Sequence, residues 1–70
     1  SALQEWAQAQ GLPLPVYDVV GRSGPDHAPH FVVTVVVAGF AAAEADGSSR
    51  RIAEQNAART LLVREKVWSV

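Results

Sequence analysis

The run Phe31-Val32-Val33-Thr34-Val35-Val36-Val37 constrains the fold of this chain more than any other segment. Its residues are almost all β-branched or aromatic, the types that pack well on a pleated surface. His30 to Ala38 is therefore predicted as a strand. Phe31, Val33, Val35 and Val37 would face a core, while Val32, Thr34 and Val36 would face outward or be covered by something. A strand needs partners, and the neighbouring segments supply them. Val16 to Arg22 is dominated by β-branched and aromatic residues and reads as a second strand. Ser23 to Pro29 lies between the two and carries the turn formers Gly24, Pro25, Asp26 and Pro29. Phe40 to Asp46 is ambiguous, because Ala41-Ala42-Ala43-Glu44-Ala45 has helix propensity. It is too short for a stable helix and sits between turn signals at Gly39 and Asp46-Gly47, so it is read as a third strand.

Two helical segments flank these strands. At about 100° per residue, Ala2, Leu3, Trp6, Ala7 and Ala9 fall on one arc of a helix over Ser1 to Gln10, with Ser1, Gln4, Glu5 and Gln8 opposite. Ser1 and Gln4 have the spacing of a capping box. Gly11 is a natural stop, and Pro13 and Pro15 prevent continuation. The second helix is predicted from Arg50 to about Trp68, with a core stripe of Ala53, Ala57, Ala58 and Leu61. Its small alanines would let it lie close to a sheet. Ile52, Val63 and Val67 fall on a separate arc, and Trp68 is expected to be at least half buried. The order helix, three antiparallel strands, helix defines an α+β fold with both helices on one face of the sheet.

Seventy residues support one modest core, near the lower limit for folding without staples. There is no cysteine, which removes disulfides and thiolate metal sites. No apolar run reaches the length of a membrane span, and no secretory signal pattern stands at the N-terminus. The absence of methionine leads to the expectation that residues 1–70 are a single domain within a longer protein. The formal net charge of -1 argues against a diffuse basic surface. Any nucleic-acid binding must come from a local patch.

One such patch stands out in Gly47-Ser48-Ser49-Arg50-Arg51-Ile52-Ala53-Glu54-Gln55-Asn56-Ala57-Ala58. Ser49 is a good N-cap. Arg50 and Arg51 then sit where helix stability disfavours them, since a cation at a helix N-terminus costs roughly 0.3–1 kcal/mol. Free N–H groups beside two guanidinium forks suit an anion, most simply a phosphate; the alternative is a solubilising surface turn. Elsewhere the chemistry is sparse. Glu44 and Asp46 fall on the same side of a strand, either as a carboxylate pair for a hard cation or as a solvated edge. Asp26 and His27 have no nucleophile placed by sequence, and neither a P-loop nor zinc-ligand spacing is present. These residues are expected to bind and not to catalyse.

In this order, the motifs resemble the double-stranded RNA-binding domain, most closely the C-terminal domain of bacterial ribonuclease III. Ser1-x-Leu3-Gln4-Glu5-Trp6-x-Gln8 is similar to that family's Thr-x-Leu-Gln-Glu start. Gly11-Leu12-Pro13-x-Pro15-x-Tyr17 is similar to its lead into the first strand, and Gly24-Pro25-Asp26-His27-x-x-x-Phe31 to its first inter-strand loop. Gly47-x-Ser49-Arg50-Arg51-x-Ala53-Glu54-Gln55-x-Ala57-Ala58 is similar to its second-helix signature, with arginines for the usual lysines. The resemblance covers the whole chain and implies three RNA-contacting patches. Gln4, Glu5 and Gln8 would enter one minor groove. His27 would enter the next, with Pro25 shaping its backbone. Ser49, Arg50 and Arg51 would grip phosphates across the major groove between them. Such domains read A-form shape and 2′-hydroxyls over roughly 16 base pairs.

The residues alone leave plainer alternatives, a solvated helix face for Gln4 and Gln8 and an exposed loop histidine for His27. The chain also departs from the family at Ala43 and Ala45, often glycine, and at Ser48 and Ile52, where basic or polar residues are usual. Glu54 stands where many such domains outside this nuclease family carry a third basic residue. The alternative function is a protein-interaction or dimerisation module with weak RNA affinity. The resemblance further implies a parent that cleaves double-stranded RNA with magnesium in a separate nuclease domain, dimerises through that domain, and processes structured ribosomal and messenger precursors in the cytoplasm. That domain's Glu-Arg-Leu-Glu-type carboxylate signature is absent from these residues, so no cofactor, metal or membrane contact is expected within them.

Overall fold

The strands and helices of the computed structural model, which describes residues 1–70, follow in the order α1 (Ala2–Ala9), β1 (Val16–Ser23), β2 (His30–Val36), β3 (Ala43–Gly47) and α2 (Arg50–Arg64). The strands form one antiparallel sheet in the order β1-β2-β3. The valine-rich β2 takes the centre, where both of its edges are paired. Val33, Val35 and the following Val37 are fully buried. They meet Leu3 and Ala7 of α1, Ala43 of β3, and Ala53, Ala57, Leu61 and Leu62 of α2 in one core cluster. Each fully buried leucine there is worth about 1.5–3 kcal/mol relative to exposure. Both helices thus cover the same sheet face. On β1, Val16 is 65% exposed. One β-bulge interrupts the β1–β2 ladder: Val19 pairs with Val33 and Gly21 with Val32, leaving Val20 as the unpaired extra residue.

The first helix has the predicted face in its centre only. Leu3 and Ala7 are buried and Trp6 is partly so, while Ala2 and Ala9 near the ends are exposed. Its C-terminus closes as a Schellman motif. The Gly11 N–H donates to the Gln8 carbonyl, and the Leu12 N–H to the Ala7 carbonyl, each at 2.9 Å. Gly11 occupies the left-handed position with φ 72°.

Phe31 packs against the core from the open end of the sheet, as expected, and is partly buried, with the Arg22 guanidinium 5.4 Å from its ring centroid. Two predictions need correction. The third strand begins at Ala43 and not at Phe40. Arg64 of α2 donates to the carbonyls of Ala41 and Ala42, the latter at 2.9 Å, so those groups are satisfied without a ladder. Phe40 turns its ring edge-on to Trp6 at 5.2 Å. Finally, α2 ends at Arg64 and not near Trp68. Lys66 adopts φ 61°, the Lys66 N–H donates to the Val63 carbonyl at 3.0 Å, and the Val67 N–H donates to the Leu62 carbonyl at 2.8 Å. This is a second Schellman closure, with lysine where glycine is usual. It reverses the chain and leaves Trp68 only 44% exposed. On α2 the buried stripe is Ala53, Ala57, Leu61 and Leu62, with Ala58 at its margin.

Candidate functional site

The connection from β3 to α2 is fixed by close approach. A Cβ on Gly47 would stand 2.7 Å from both the Ala53 amide nitrogen and Ile52 Cγ2, so only glycine lets the strand end against the helix. Ser49 is extended and caps α2: its Oγ accepts from the Ile52 N–H at 3.0 Å. The first turn contains no acidic residue. Arg50 and Arg51 are both exposed, but they are not equivalent. Arg50 Nε donates to Glu54 Oε2 at 3.1 Å. Arg51 has no carboxylate within ion-pair distance.

The β1–β2 loop emerges from the same end of the sheet. Ser23 pairs with His30 there, and Phe31 pairs with Gly47. His30 Nε2 lies 2.9 Å from Asp46 Oδ2, tying the two connections together. Gly24 has φ 84°, and a Cβ on it would meet the Ala28 carbonyl oxygen at 2.6 Å. The Ala28 N–H closes a turn onto the Pro25 carbonyl at 2.9 Å. Pro25 and His27 stand exposed at this tip. Asp46 is engaged elsewhere as well, its carbonyl accepting from Asn56 Nδ2 at 2.8 Å. Glu44 and Asp46 are both exposed, and the Asp46 carboxylate is turned to His30.

On α1, the Ser1 Oγ accepts from the Gln4 N–H at 3.3 Å. Only half of the expected capping box forms, because the Gln4 side chain does not return to the Ser1 backbone. Gln4, Glu5 and Gln8 remain exposed, with no side-chain hydrogen bond inside the chain. A crevice of about 620 Å³ joins the start of α1 to α2, with Leu3, Tyr17, Leu62 and Trp68 among its lining and Arg51, Glu54 and Arg59 along α2. Burial, and then the Glu54 carboxylate, push the Tyr17 hydroxyl pKa up. Sequence reasoning passed over Gln55 and Arg59. With Arg51 they form an i, i+4, i+8 series on one helix face, and all three line this crevice.

Two helices and a loop thus each expose polar or cationic side chains on one α+β frame, a pattern compatible with a polynucleotide-binding module. Residues 1–63 match the family model described as the double-stranded RNA binding motif, and the chain belongs to that family. It is 42% identical to the first dsRBD of the protein HYL1, with a TM-score of 0.73 over 100% of this chain and 97% of that one. A structure of both dsRBDs of DRB4 gives 34% identity and a TM-score of 0.71, covering 99% of this chain and 44% of that one. Among curated proteins, Ribonuclease 3 of Methylocella silvestris is 57% identical over 67 residues, which cover 96% of this chain and 28% of the relative. Ribonuclease 3 of Brucella canis is 58% identical over 66 residues, covering 94% of this chain and 27% of the relative. The chain therefore matches little more than a quarter of the length of these relatives.

Proposed function

We propose that this domain holds duplex RNA by its A-form shape, through three patches: Gln4, Glu5 and Gln8 on α1, Pro25 and His27 in the β1–β2 loop, and Ser49, Arg50 and Arg51 at the start of α2. The observation that carries this reading is the opening of α2. An exposed arginine without a carboxylate partner stands in the first helical turn, beside a capped N-terminus that the Gly47 approach holds against the sheet. Helix stability would favour acids at that position, whereas a phosphate gains from both the guanidinium and the helix end. The polar α1 face carries uncharged amides suited to 2′-hydroxyls and base edges. It supplies shape recognition, and the arginines supply phosphate attraction.

The test is competition between RNA and B-form DNA duplexes of equal length, each longer than about 12 base pairs, since such domains span roughly 16 base pairs of A-form helix. RNA should win, and equal binding would reduce the interaction to generic phosphate attraction. Replacing Arg50 and Arg51 together by Ala should weaken binding and lower the slope of log K against log salt by about 1–2, as counterion release scales with phosphate contacts. Gln4→Ala with Gln8→Ala should weaken binding with little change in slope. The arginine pair should not lower the melting temperature, because its removal takes cations from a helix N-terminus. A large drop would assign those residues to the fold instead.

For the longer protein, we infer a ribonuclease III-like endonuclease in which this domain holds the RNA and a separate magnesium-dependent nuclease domain, the site of homodimerisation, cuts it. Structured ribosomal and messenger precursors in the cytoplasm are its proposed substrates. Similarity to a quarter of two proteins named Ribonuclease 3 supports this reading. Deleting residues 1–70 from the full protein should abolish duplex cleavage at moderate salt. Undiminished cleavage would refute the holding role.

A further inference from the structure

We propose that Glu54 limits the affinity of this domain for duplex RNA by occupying Arg50, so that Arg51 is the principal phosphate grip. This rests on the RNA-binding reading above and adds to it a residue that sets affinity. Glu54 lies four residues after Arg50 and three after Arg51, so it shares a helix face with both. Its carboxylate accepts from Arg50 Nε at 3.1 Å. The carboxylate side chain is 30% exposed and the arginine 64%, so the acid is the more sheltered partner and is less screened by salt. It lines the same crevice as Arg51 and stands close enough to Tyr17 to contribute to its raised pKa. The carboxylate thus stands beside the helix opening, on the crevice that Tyr17 of β1 also lines.

A phosphate arriving at the α2 opening meets this charge in two ways. To take Arg50, it must displace a carboxylate that already satisfies the guanidinium. To take Arg51, it must come within several ångströms of the same negative charge. Both effects oppose binding without altering groove spacing, so Glu54 changes affinity and salt dependence while leaving the RNA-over-DNA preference to the other patches.

The experiment measures binding of a blunt RNA duplex across a salt series for wild type, Glu54→Gln, Arg50→Ala and the double variant Glu54→Gln with Arg50→Ala. Glutamine preserves shape and removes only charge. Its affinity should rise about three- to tenfold near 0.1 M salt, the scale of one carboxylate a few ångströms from a phosphate in a solvated setting. Its salt slope should steepen by up to about 1. In the Arg50→Ala background the same change should give a smaller gain, because only repulsion of the phosphate remains to be relieved. The absorbance titration of Tyr17, the single tyrosine, reports on the folded domain without RNA; Glu54→Gln should lower its midpoint. Unchanged or weaker RNA binding by Glu54→Gln, with wild type still preferring RNA to DNA, overturns this proposal alone. An unmoved tyrosine midpoint removes its geometric basis. Failure of wild type to prefer RNA overturns the RNA-binding reading together with it.

Discussion

Lys66 offers a test with an unusual sign. It is the only non-glycine residue with positive φ, at 61°, and it holds the position of the Schellman closure that glycine usually fills. At an ordinary helical or extended site, glycine is less stable than alanine by roughly 0.5–1 kcal/mol, because it loses more freedom on folding. In the left-handed region an L residue suffers a clash between Cβ and the following carbonyl oxygen worth about 1–2 kcal/mol. The second effect exceeds the first, so the order should reverse here. Lys66→Gly should be more stable than Lys66→Ala by about 0.5–1 kcal/mol. Both variants lose the same charge near the helix C-terminus, so any dipole contribution cancels in the comparison. For a domain of this size about 1 kcal/mol moves Tm by roughly 4–8 °C, so a separation of several degrees is expected. Thermal unfolding followed by circular dichroism measures it. Trp68 emission in a Trp6→Phe background reports whether the closure still turns the chain back. If alanine matches or exceeds glycine, the left-handed turn after α2 does not hold in solution, and the half-covered position of Trp68 falls with it.

Two other positions test how the frame supports the site. Gly47→Ala forces a methyl to within 2.7 Å of the Ala53 backbone nitrogen, which cannot yield without moving α2; it should cost about 1–3 kcal/mol and weaken RNA binding beyond the loss of folded protein, with a normal Tm refuting the close approach. Arg64→Met keeps an unbranched apolar stem but loses the donors to Ala41 and Ala42. It should destabilise by about 1 kcal/mol and accelerate amide hydrogen exchange between β2 and β3, and unchanged protection there would show that the loop is held by the Trp6–Phe40 contact alone.

What was legible in the sequence is local. The valine run declares β2 because alternation and β-branching act within a few residues. The start of α2 is readable because a serine cap reaches only three residues ahead, and Ser49 makes that bond. The two helix ends make the contrast instructive. Both close with the same pair of backbone bonds, yet the first was anticipated and the second was not. Gly11 announces a left-handed residue by its type. Lys66 adopts that conformation without any such sign, and the turn it makes brings the Trp68 N–H to the Leu62 carbonyl at 3.1 Å. The start of β3 was misplaced for a related reason. The propensity of Ala41 and Ala42 speaks only weakly against a strand, and their carbonyls are claimed by an arginine more than twenty residues later.

The site divides along the same line. Arg50 and Arg51 look alike in the sequence, and composition counts them as two equal charges. Folding separates them, since helix periodicity places Glu54 beside both but geometry gives its carboxylate to Arg50. The i, i+4 spacing made that pair available to sequence reasoning, whereas the partial shelter of the Glu54 side chain depends on how α2 sits on the sheet. Which of the two neighbouring arginines keeps an unpaired guanidinium is therefore set by where the Glu54 carboxylate turns on the helix.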